Sequence, residues 1–199
     1  MDAFGPQELP FVVLLSMLLL LSAIIDFWKF KVPNWLTFSM ILSGWIYGAL
    51  ISQGVLATSW RDETLGYFWA SLALTGVGCA LLIPVYAVGG MGAGDVKMQM
   101  GYGAWIGAHY GWDVGWPYVV YGFCVAVLVG GVIAACMILW RGDFRQNRAN
   151  LAAIMHDLMN PTKAADAAAQ RKPRMHLLPY GVPLCIGYIT YIIVPFKLL

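Results

Sequence analysis

Two of the ten acidic residues stand apart from the rest. Asp26 closes a long apolar run in Leu21-Ser-Ala-Ile-Ile-Asp26-Phe-Trp, and Asp95 opens another in Gly89-Gly-Met-Gly-Ala-Gly-Asp95-Val-Lys97. The other eight, Asp2, Glu8, Asp62, Glu63, Asp113, Asp143, Asp157 and Asp166, fall in expected loops or tails. A carboxylate at or within a bilayer is costly, so it faces a polar cavity and serves a function. Two carboxyls brought within hydrogen-bonding distance cannot easily both ionise, and they share one proton. The ionised member can then take a proton from water while the protonated one polarises a carbonyl. Such a pair hydrolyses a peptide bond with no covalent intermediate, no metal and no cofactor. Gly89, Gly90, Gly92 and Gly94 fit this chemistry, since a loop without side chains lets a substrate backbone approach.

Structural readings of the same acids stand beside this one. Asp95 has the setting of a helix N-cap, and Asp26 that of an interfacial residue paired with Lys29 or Lys31. A small proton-coupled transporter would also place acids in the membrane.

The elements that must position these acids are membrane helices. The chain is 60% hydrophobic and 11% charged, with mean hydropathy +0.71, whereas soluble domains carry about 25% charge. Six apolar segments can be marked, at about 10–27, 34–51, 64–88, 95–110, 116–140 and 177–196. The expected fold is an all-α polytopic membrane protein, a six-helix bundle forming one integral membrane domain over residues 1–199. The segment opened by Asp95 is short and glycine-rich for a span. No basic start precedes the first run, so it reads as a retained span and not a cleaved signal.

Orientation follows from the basic residues. With the N-terminus outside, one face collects Lys29, Lys31, Lys97, Arg141, Arg145, Arg148, Lys163, Arg171, Lys172 and Arg174, and the other only Arg61 and Lys197. The first face is then cytoplasmic, and Asp26 and Asp95 both lie near it, at similar depth. The long polar segment, about 141–176, is cytoplasmic too. Within it Leu151, Ile154, Met155, Leu158 and Met159 repeat at helical spacing up to Asn160-Pro161. This is an amphipathic helix suited to membrane lipid or to the end of the bundle. Cys79, Cys124, Cys136 and Cys185 stand singly, with no metal-ligand spacing. Nothing points to a nucleic-acid partner. Gly44 and Gly48, and Gly103 and Gly107, have the spacing of close helix contacts, within one chain or in a homo-oligomer.

Gly92-Ala-Gly94-Asp95-Val-Lys97 resembles the GxGD-x-K signature of the type IV prepilin peptidases, and Asp26 followed by Lys31-Val-Pro33-Asn34-Trp-Leu36-Thr resembles that family's first catalytic motif. The resemblance implies an intramembrane aspartic endopeptidase that cuts the short basic leader from prepilins and pseudopilins at the cytoplasmic face. Asp26 and Asp95 would be the catalytic pair, Gly92 and Gly94 would shape the loop, and Lys97 would sit beside the site or snorkel to water. The interval from Asp26 to Asn34 leaves no room for the CxxC-bearing domain of long family members. The chain is similar instead to the short forms of tight-adherence pili and archaeal preflagellin peptidases, which implies a protease without N-methyltransferase activity. Pro179, Tyr180 and Gly181, at the start of the last span, are expected either to flank the site and help hold substrate or to be an ordinary helix start. A non-catalytic component of a pilus or secretion machine is a further alternative.

Overall fold

The structure, a computed structural model, describes residues 8–29, 32–60, 62, 64–87, 91–141 and 180–193. The amphipathic helix expected in 141–176, together with Lys31, Gly89, Gly90 and Pro179, lies outside the described residues.

The described residues contain helices and no strand. α1 is Glu8–Lys29, α2 is Asn34–Ser52 and α3 is Tyr67–Ala87. The helical run Ala93–Arg141 is broken at Gly111 (φ 73°, ψ −168°), giving α4 (93–110) and α5 (112–141). α6 is Gly181–Ile193. Four runs are long and apolar enough to cross a membrane: Glu8–Lys29, Asn34–Ser52, Tyr67–Ala87 and Ala93–Met137.

Gly111 is a point of reversal. Beyond it Gly115 lies over Ile106, the Tyr118 ring stacks on Tyr110, and Gly122 comes beside the Tyr102 hydroxyl, so α5 folds back along α4. Glycine is required here on two counts. The φ is one that side chains avoid, and a Cβ would run into the Asp62 side chain. Asp62 accepts hydrogen bonds from the amides of Trp112 (3.2 Å) and Thr64 (3.1 Å), so it caps α5 from the α2–α3 connection. This long-range cap is why α5 starts at Trp112 and not at Trp116. Asp113, expected in a loop, is therefore helical, and Pro117 falls in the second turn, early in the helix.

α4 is the central helix, and every residue from 101 to 111 is buried. A helix surrounded by protein instead of lipid can carry polar residues, which accounts for its weak hydrophobic signal. Glycine and alanine let its neighbours approach. Cβ atoms placed on Gly44 and Gly48 of α2 would meet Ala104 at 2.7 Å and Ala108 at 3.4 Å, and one on Gly107 would meet the Ala70 carbonyl of α3 at 2.5 Å. Both glycine pairs therefore serve contacts within the chain, where small residues replace the hydrophobic drive that lipid does not supply.

α1 shows its lipid face in Leu14, Met17, Leu21 and Ile24 and buries Phe11, Leu15, Leu19, Ser22 and Asp26 in one stripe. The spacing of that stripe, three or four residues throughout, carries Asp26 onto the inward face. At the far end Phe11 stacks on the His109 ring (centroids 3.8 Å), while His109 Nδ1 is hydrogen-bonded to the Tyr47 hydroxyl at 3.0 Å. Glu8, expected in a tail, instead opens α1 and is buried, a favourable place for an acid beside the helix dipole.

Candidate active site

The ends of α1 and the starts of α2, α4 and α6 meet at one end of the bundle. Asp26 comes from the last turn of α1 and is 4% exposed; Asp95 comes from the first turn of α4 and is 6% exposed. The two carboxyls lie close enough to interact through space.

Each is held by one backbone amide. Asp95 sits three residues after Gly92, and its Oδ2 reaches back to accept the Gly92 amide at 3.1 Å, while its own amide donates to the Gly92 carbonyl at 3.2 Å. This is the acidic half of a capping box; Gly92 is the N-cap, and Asp95 stands at the third helical position and not at the N-cap position expected for it. Asp95 Oδ1 is buried and has no hydrogen-bond partner among the described residues. A helix cap alone does not account for it, because an orphaned buried oxygen costs about 1–3 kcal/mol.

Asp26 Oδ2 accepts the amide of Gly181, 155 residues away, at 2.9 Å. Gly181 is the first residue of α6, so the carboxyl also faces the positive end of that helix. A Cβ on Gly181 would lie 2.8 Å from Oδ2 and 3.1 Å from Cγ; only hydrogen fits there. Tyr180, the residue before, is half-buried and packs against the core.

Lys97 points elsewhere. Its Nζ donates to Asn34 Oδ1 at 2.9 Å and lies 4.7 Å from the centre of the Phe38 ring. It ties the start of α4 to the start of α2. Gly94 has the same effect by close approach, since a Cβ there would meet the Val32 carbonyl oxygen at 3.1 Å and its amide nitrogen at 3.3 Å. The space beside Gly94 is thus filled by the chain's own α1–α2 connection and not left open to a substrate. A Cβ on Gly92 would meet Asp95 Oδ2 at an ordinary 3.4 Å; what Gly92 contributes is its amide.

The sequence pairs Asp26 with Asp95 and leaves Tyr180 and Gly181 either flanking that pair or simply starting a helix; the structure brings Gly181, with Tyr180 beside it, against Asp26. The link it could not supply is the Gly181 amide on Asp26; the run of Pro and Gly before an apolar segment was the only signal. Among the described residues no cluster of His, Cys, Asp and Glu could hold a metal ion.

The model of the type IV leader peptidase family matches residues 4–135, a stretch that includes Asp26 and Asp95 and ends before α6. No curated protein and no solved structure matches the chain.

Proposed function

The chain belongs to the type IV leader peptidase family, and on that premise we propose that Asp26 and Asp95 are the reacting pair of an aspartic endopeptidase that removes the leader from prepilin-like precursors. One observation carries the reading. Two acids almost 70 positions apart in sequence are buried at the same end of the bundle, close enough to interact, each with Oδ2 tethered to a backbone amide.

In this mechanism the ionised carboxyl takes a proton from water as the oxygen attacks the scissile carbonyl, and the protonated carboxyl donates to the carbonyl oxygen. Collapse of the tetrahedral adduct then sends a proton to the departing amine. The amides of Gly92 and Gly181 fix the two side chains so that little reorganisation is needed during reaction. Lys97, held by Asn34 and Phe38, positions the start of α4 and does not touch the reacting atoms.

Counting α4 and α5 as separate spans and α6 as the last gives six spans, with both termini outside and the acids toward the cytoplasm of an inner membrane. A precursor would keep its basic leader in the cytoplasm and its apolar stem in the bilayer, delivering the bond to the pair. The short interval between Asp26 and Asn34 supports proteolysis without methyl transfer. The transport reading needs a polar route from the acids to the other face. Leu15, Leu19, Met98 and Tyr102, all fully buried in the core between the helices, argue against one.

The test is precursor processing in proteoliposomes. Asp26→Asn and Asp95→Asn should each abolish cleavage while inserting and folding like the parent; either variant cutting at the parental rate overturns the assignment.

A further inference from the structure

Gln99 is the least explained polar side chain in the bundle. It has no exposed surface, and both Nε2 and Oε1 lack a hydrogen-bond partner among the described residues. An amide sealed in an apolar interior without partners costs about 1–3 kcal/mol on the mutational scale. Its sequence position supplies a reason for that cost. Gln99 lies four residues after Asp95, so the two Cβ atoms sit roughly 5–6 Å apart on one face of α4. Helical side chains also lean toward the N-terminus, the direction in which the turn bearing Asp95 lies. The carboxyl there has its own orphan, Oδ1.

α3 walls Gln99 in on one side. α3 packs so tightly that a Cβ on Gly78 would stand 2.7 Å from the Gln99 carbonyl oxygen and 3.2 Å from its Cγ, closing this side against lipid. Buried waters in proteins sit where two to four otherwise unsatisfied polar groups converge. Here an acceptor on Asp95 and a donor and an acceptor on Gln99 occupy consecutive turns.

We propose that Gln99 and Asp95 Oδ1 together form a water-holding site on the deep side of the catalytic pair. Gln99 Nε2 donates to the water and Oε1 accepts from it, and the water fixes the free oxygen of Asp95. Gln99 is thus a positioning residue acting through water. The proposal rests on Asp95 being a reacting group.

Gln99→Met keeps length and approximate volume while removing the amide. With a synthetic precursor carrying a basic leader and an apolar stem, it should lower kcat by about tenfold, the value of one positioning hydrogen bond, at unchanged KM. A second readout does not need activity. The infrared carboxyl band of Asp95, assigned by its loss in Asp95→Asn, should move in Gln99→Met because its water partner has gone. A kcat within twofold of the parent overturns the proposal, and so does an unmoved band. A dry amide would instead make Gln99→Met more thermostable with kcat untouched, which also overturns it. Should Gln99→Met fail to fold, Gln99→Asn, whose amide stops one methylene short, is read by the same two measures. If Asp95→Asn still cleaves, the dyad assignment fails, while the band comparison still judges the water site.

Discussion

Replacing Gly181 with alanine is the most informative single-atom perturbation of the site. The backbone there is not one that only glycine adopts, since positive φ is confined to Gly54, Gly66 and Gly111 among the described residues. Alanine therefore acts only through its methyl group. That group would stand 2.8 Å from Asp26 Oδ2, whereas ordinary contact begins at 3.4 Å. The carboxyl must retreat by about 0.6 Å, the difference between those two values, and the 2.9 Å amide bond is stretched or lost. Hydrogen bonds to charged groups contribute about 1.5–3 kcal/mol, and a displacement of about 1 Å in a catalytic group costs roughly 10²-fold in rate. We expect kcat to fall by about 10- to 100-fold, equivalent to about 1.4–2.7 kcal/mol of barrier. Thermal unfolding should shift less than activity does, because the three nearest atoms to the added methyl all belong to the Asp26 side chain and none to backbone. The control is Gly76→Ala on α3, where an added Cβ meets nothing within 4 Å; it should leave kcat unchanged and cost no stability, alanine being the better helix former by about 1 kcal/mol. Cleavage by Gly181→Ala at the parental rate would refute the argument that this amide sets the position of Asp26.

Other perturbations give equally definite outcomes. Lys97→Met removes one exposed hydrogen bond and one cation–π contact, worth about 1 kcal/mol together, so kcat should drop less than tenfold with its pH profile unmoved; a loss of several hundredfold would make Lys97 a catalytic group. Asp62→Ala uncaps α5 by freeing the Trp112 amide and should lower stability by about 1–2 kcal/mol in chemical unfolding, while the folded fraction cleaves normally. Gly107→Ala drives a methyl group into the Ala70 carbonyl and should destabilise the bundle by about 1–3 kcal/mol, read as a lower unfolding temperature in detergent.

The sequence was most readable where one local rule decided the structure. The apolar segments opening near Pro10, Asn34 and Thr64 became α1, α2 and α3 with ends displaced by up to three residues, because length and hydropathy fix a membrane helix. Asp26 and Asp95 could be paired because alternating spans force the end of the first and the start of the fourth to the same side. Reading was poorer where a distant residue decided. The stretch from Gly111 to Gly115 looks like a loop, with two glycines, an acid and a proline soon after; a cap from Asp62, about 50 positions earlier in the chain, turns all but Gly111 into helix. Gly94 was read as clearance for substrate, yet Val32 occupies that space, since close approach of two connections leaves no local signature. The hold of Gly181 on Asp26 joins the first helix to the last, and no periodicity could announce it.

Whether the two acids work as one unit is best judged by comparing Asp26→Asn, Asp95→Asn and the double variant in the same reconstituted cleavage assay. Groups that share a task are grossly non-additive when removed. The account predicts that the residual rate of the double variant, read at high enzyme concentration and long times, is no lower than that of the slower single one. Losses that multiply instead, each acid contributing its own factor, would show that Asp26 and Asp95 act independently and would contradict it.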